Sequence, residues 1–134
     1  MATKQDYDRV RELSALAKRY RDQIEENLSN PNALTELGAR IALNNAELAE
    51  YIAIFHGEAS SAKVETYLEE RANKATQGDS DIIAKKAELE PRKFYEICKY
   101  SVKAHDVLLA RIRDRLDYLS EENKRANIKD GRSY

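Results

Sequence analysis

A single cysteine, Cys98, rules out an intramolecular disulfide and a thiolate cluster within one chain. Four glycines and two prolines are too few for the many tight turns of a β-sandwich or barrel. Tryptophan is absent and phenylalanine occurs only twice. No stretch approaches the ~20 consecutive apolar residues a membrane span requires. Met1-Ala2-Thr3-Lys4-Gln5-Asp6 lacks the apolar run of a signal peptide. The chain therefore reads as cytoplasmic, in a reducing compartment, with no membrane contact. An excess of either charge is also missing: 23 basic against 24 acidic residues argues against a polycation and an acidic tail. Any nucleic-acid site must come from local clustering, or from copies stacked in an oligomer.

Catalytic signatures are equally scarce. No HExxH, CxxC, Glu-x-x-His pair or glycine-rich phosphate loop occurs. His105 and Asp106 are neighbours, so on a helix they point about 100° apart and make a poor dyad. His105 falls on an apolar stripe and reads as a core histidine. His56, next to Gly57 and Glu58, reads as a helix-capping residue. Cys98 reads as a small core residue rather than a nucleophile. Paired acids such as Glu25-Glu26, Glu69-Glu70 and Glu121-Glu122 read as solvated faces. The expectation is a protein that is not an enzyme and uses no metal or cofactor.

What is present is helical periodicity. Over residues 31–76 the apolar Leu34, Leu37, Ile41, Leu48, Ile52 and Phe55 recur in steps of three, four and seven, one stripe of a long helix. Asn44 and Asn45 interrupt the stripe, where a seam asparagine can fix register. Gly57 either ends the helix at His56 or is tolerated, and a continuous or gently kinked helix is favoured. After it the apolar residues shift phase and shrink. An N-terminal helix occupies residues 1–30, from about Lys4 to Leu28. Its stripe is Val10, Leu13, Ala17, Tyr20 and Ile24, with Thr3 and Asp6 placed as a capping box. Asn30 and Pro31 then open the long helix. Residues 77–91 read as a connector: a loop at Gln77–Ser80 with Gly78 as a C-cap, a short helix over Ile82–Leu89, and a break at Pro91. A second long helix fills residues 92–127, and 128–134 read as a flexible tail. The fold class is all-α: a single domain, an antiparallel bundle or hairpin of long helices with a short connecting helix. Its long stripes favour assembly into a homo-oligomer.

Basic residues cluster at Lys18-Arg19-Tyr20-Arg21, at Lys85-Lys86, at Arg92-Lys93 before Phe94-Tyr95, and at Arg111, Arg113 and Arg115. Single-strand binders combine a basic track with aromatics on which bases stack. Lys85, Lys86, Arg92, Lys93, Phe94 and Tyr95 flank Pro91 and form the best such match. Helical salt bridging, as Asp22 offers Lys18 and Arg19, is the competing account.

Three stretches carry a family resemblance. Tyr67-Leu68-Glu69-Glu70-Arg71 leads into Gln77-Gly78-Asp79. The short run Ile82-Ile83-Ala84-Lys85-Lys86-Ala87-Glu88-Leu89 precedes a final helix. Val107 to Leu116 closes the chain with Leu, Ala and Arg. In this organisation, over roughly Leu34 to Leu119, the chain resembles the UvsY-type recombination mediators of phages. The resemblance implies a homo-oligomeric ring that binds single-stranded DNA and helps load a recombinase onto strands covered by single-strand-binding protein. Lys85, Lys86, Arg92 and Lys93 would be the carried-over DNA contacts. The expected function is thus a phage-type recombination accessory protein. The alternatives are a helical protein-interaction protein (an adaptor or inhibitor) and a structural component of a phage particle.

Overall fold

The computed structural model describes residues 2–129, and they form three antiparallel helices without a strand. Helix α1 spans Lys4–Glu26, α2 spans Pro31–Ala72 and α3 spans Gln77–Lys129. Local chemistry sets each start. The Asp6 amide donates to Thr3 Oγ1 at 3.3 Å and the Thr3 amide donates back to Asp6 Oδ2 at 2.9 Å, the expected capping box. Asn30 Oδ1 accepts from the Ala33 amide at 3.1 Å, with Pro31 at the first helical position. Helix α2 runs unbroken through Gly57, where the missing side chain costs ~1 kcal/mol relative to alanine.

The connector expected over residues 77–91 is absent. Helix α2 ends at Ala72, not Thr76, and the turn is Asn73–Thr76. It closes as a Schellman motif: the Ala75 amide donates to Glu70 O at 3.0 Å and the Lys74 amide to Arg71 O at 3.1 Å. Lys74, and not Gly78 as expected, is the C-capping residue, in the left-handed conformation at φ 65°. Thr76 then caps α3, its Oγ1 accepting from the Asp79 amide at 3.1 Å. Gly78 lies inside the first turn of α3, and no separate short helix over Ile82–Leu89 or helix starting at Arg92 exists. Pro91 is buried within α3, where it leaves the Ala87 carbonyl without its usual donor. The reason the helix survives is its seam. Ser80, Ala84, Ala87, Pro91, Phe94, Cys98, Ser101, His105, Leu108 and Ile112 follow one another in steps of four and three, all buried or half-buried. Breaking α3 at Pro91 would split that seam. Of the expected tail, 128–129 continue α3, and 130–134 lie outside the described residues.

Two apolar clusters hold the bundle. One gathers Tyr20, Ile24, Leu34, Leu37, Ile41, Leu108 and Ile112. The other gathers Val10, Phe55, Phe94 and Cys98 with Tyr7, Tyr51 and Ile97 around them. A polar layer lies between. Ser101 Oγ donates to Ser14 Oγ at 2.8 Å, Asn44 donates to the Tyr20 hydroxyl, and His105 is fully buried beside the Tyr20 ring. Asn45 Nδ2 bonds Asp106 Oδ1 at 2.7 Å, so both seam asparagines bridge helices. Arg9 clasps Glu47 of α2 through two nitrogens, at 2.7 and 3.2 Å.

These contacts fix how far α1 reaches. The Ala2 amide donates to Glu58 Oε2 at 3.1 Å, and Val10 packs with Phe55. Past Glu58 only two helices continue: residues 59–72 of α2 and 77–90 of α3 form an arm about 20 Å long. At the opposite end Arg115 Nε donates to Leu28 O at 2.7 Å, and the last turns of α3 run on past the α1–α2 loop.

Candidate functional site

The arm owes its exposure to helical spacing. The α2 residues turned toward α3 are Ala59, Ala62, Thr66 and Glu70, each buried or half-buried. Val64 and Leu68 sit two residues, about 200°, from that seam and face outward. On α3, Ser80, Ala84, Ala87 and Pro91 face α2, so Ile82 and Leu89 point away. Val64, Leu68, Ile82 and Leu89 are 55–64% exposed. A groove of about 250 Å³, lined by Lys63, Val64, Tyr67, Leu68, Asp81 and Ala84, runs between the two helices.

Both outer edges carry charge of both signs. Beside Val64 and Leu68 stand the exposed Glu65, Glu69 and Arg71, and Asp79 and Glu90 are likewise exposed beside Ile82 and Leu89. Beside Ile82 and Leu89 stand the exposed Lys85, Lys86 and Lys93, which make no ion pair among the described residues.

Of the six residues expected to bind nucleic acid, Lys85 and Arg92 share one line of α3 and Lys86 and Lys93 the next, each pair seven residues apart. They do not crowd round a turn, because α3 is continuous; they lie along the side of a rod. Arg92 donates to Glu88 at 3.4 Å, and Lys63 of α2 approaches the same carboxylate at 4.0 Å. Tyr95 is half-buried with His56 against its ring, and Arg92 and Lys99 lie 5.5 and 5.1 Å from its centroid. His56 is therefore a mid-helix side chain packed on Tyr95 and not a cap, since α2 does not end there. Phe94 is 2% exposed, its ring 4.7 Å from Tyr7 and 5.6 Å from Phe55, and it offers no face to a base. Its position on the α3 seam, three residues after Pro91, dictates that burial.

The exposed aromatic on this side of α3 is Tyr100, 73% exposed, on the same line as Lys86 and Lys93. Lys99 and Lys103 extend the basic character past it. The seven-residue spacing Lys86–Lys93–Tyr100 is the signal of this line in the sequence.

The remaining chemistry-bearing side chains are interior. The His105 Nδ1–H donates to Ser101 O at 2.7 Å, and Nε2 is buried without a hydrogen-bond partner among the described residues. Cys98 is buried, and that burial pushes its thiol up to about 11, far from a reactive thiolate. Among the described residues no three His, Cys, Asp or Glu side chains converge to hold a metal ion, and no helix is long and apolar enough to cross a membrane. Comparison with family models, characterised proteins and solved structures finds no match to this chain.

Proposed function

We propose that this chain is a non-enzymatic helical interaction protein, with the two-helix arm as its docking element. The observation that carries this reading is the outward-facing apolar set Val64, Leu68, Ile82 and Leu89 on a segment α1 leaves bare. A fully buried aliphatic side chain gains about 1.5–3 kcal/mol, so covering these four gives roughly 4–7 kcal/mol toward association. The charged flanks supply specificity more than affinity. A photo-crosslinking amino acid placed at Leu68, and separately at Arg40 on the three-helix body, tests the reading in cells that express the protein. Protein adducts are expected from position 68 and not from position 40. Adducts from neither, or from both equally, overturn it.

A second reading, single-stranded DNA binding in support of recombinase loading, is favoured by the exposed Lys86–Lys93–Tyr100 line. Phosphates would track the lysines and a base would stack on Tyr100. It is tested with a fluorescent oligothymidine at two salt concentrations. Binding that falls steeply with salt, and that Lys93→Glu and Tyr100→Ala each weaken several-fold, supports it. Binding indifferent to all three removes it.

A further inference from the structure

We propose that the partner of the arm is a second copy of this chain, docked side by side so that the α2 edge of one arm meets the α3 edge of the next. The inference rests on the docking role proposed above and names its occupant.

Three observations point to it. First, the two apolar pairs lie on different helices of the arm, Val64 and Leu68 at the α2 rim of the groove and Ile82 and Leu89 on α3 outside it. A contact that covers one edge leaves the other available, so the natural union is α2 edge to α3 edge, a head-to-tail interface. Second, the flanks are complementary. In the register of the hairpin Glu65 of the α2 edge is level with Lys86 of the α3 edge, and Arg71 is level with Ser80, between Asp79 and Asp81.

Third, the register already matches. Within one chain Asn45 contacts Asp106, His56 contacts Tyr95 and Lys63 approaches Glu88. Those pairings place Glu65 level with Lys86, and they place Val64 and Leu68 within the height spanned by Ile82 and Leu89. A second copy set beside the first, without sliding along the arm, brings Glu65 to Lys86 of its neighbour. It also seats Val64 and Leu68 between the neighbour's Ile82 and Leu89. The α2 of one copy then runs antiparallel to the α3 of the next, repeating the packing inside each hairpin.

The experiment uses the purified full chain and light scattering at tens of micromolar. The wild type is expected to be larger than a monomer. Leu68→Glu disables the α2 edge, and Leu89→Glu disables the α3 edge. Each variant alone is expected to be a monomer with unchanged helical circular dichroism, its self-association weakened about a hundredfold. Mixed in equal amounts they retain one intact edge each and are expected to form a dimer and nothing larger. If either variant loses helicity, the surface charge swap replaces it. Glu65→Lys or Lys86→Glu alone weakens association several-fold, and the two together restore it.

A wild-type monomer overturns the proposal. So does a wild-type oligomer that both Leu68→Glu and Leu89→Glu leave intact, or a mixture that stays monomeric. Cross-links from position 68 to a different protein, with none to a second copy, overturn it too while leaving the docking role standing.

Discussion

Replacing Phe94 with alanine separates a core role from a base-stacking role. Phe94 touches Tyr7 edge-on at 4.7 Å and 86°, faces Phe55 at 5.6 Å, and carries the Arg11 guanidinium 5.1 Å from its ring centre. Its neighbours come from all three helices, so the hole left by truncation cannot be closed by moving one of them. Buried Phe→Ala substitutions cost about 3–5 kcal/mol, and each lost edge-to-face pair adds about 0.5–1.5 kcal/mol to the area term. The expected loss is about 4 kcal/mol. With a urea dependence of ~2 kcal/mol per molar, the unfolding midpoint falls by ~2 M. Chemical denaturation followed by circular dichroism reads this directly. Phe94→Leu, which keeps most of the volume, is expected to lose less than half as much. A loss below about 1 kcal/mol for Phe94→Ala would mean the ring is not in the core, and the assigned α3 seam would be wrong with it.

Pro91→Ala is expected to stabilise the protein by about 1–2 kcal/mol, because alanine restores a helical hydrogen bond at a modest loss of buried contact. Destabilisation instead would mean that Pro91 opens a separate helix. Lys74→Gly is expected to gain ~1 kcal/mol in thermal or chemical unfolding, since a left-handed lysine is strained where glycine is not. A loss would show that the Schellman turn is misassigned. Native Cys98 is expected to resist a thiol reagent at pH 8 and to react at once in denaturant; rapid native labelling contradicts its burial. Its thiol is raised by burial to about 11, so ionisation favours the unfolded chain. That contribution to stability is whole below the ordinary thiol range and disappears as pH climbs toward 11, measurable as a urea midpoint that falls further between pH 8.5 and 11 in wild type than in Cys98→Ala, where the half-buried Tyr7 and Tyr51 still contribute a fall.

The helices themselves were legible because their signals are local. Thr3 with Asp6, Asn30 with Pro31, and the stripe from Leu34 to Phe55 report caps and faces that need no distant partner. The turn lies four residues before the position its residue types suggest, because Gln77-Gly78-Asp79-Ser80 looks more like a loop than Asn73-Lys74-Ala75-Thr76 does. Glycine is the usual left-handed residue, and here a lysine takes that role. Pro91 misled for a related reason. Proline weakens a helix locally, but the seam from Ser80 to Ile112 is stabilised by contacts with α1 and α2 that no local rule counts.

Composition and periodicity alone determined an all-helical chain, its antiparallel stripes and its buried Cys98 and His105, because a 3.5-residue repeat constrains which side each residue occupies. Only the tertiary structure decided which charged and apolar residues stay uncovered. That depends on where α1 stops, beside Glu58, and on the register that sets Lys63 against Glu88. Phe94 and Tyr100 show the difference. Both are aromatic and both follow a lysine or stand beside one, yet one faces two other helices and the other faces water. The stripe tells which face a helix buries, and only the placed neighbours tell how far along the helix that face is covered.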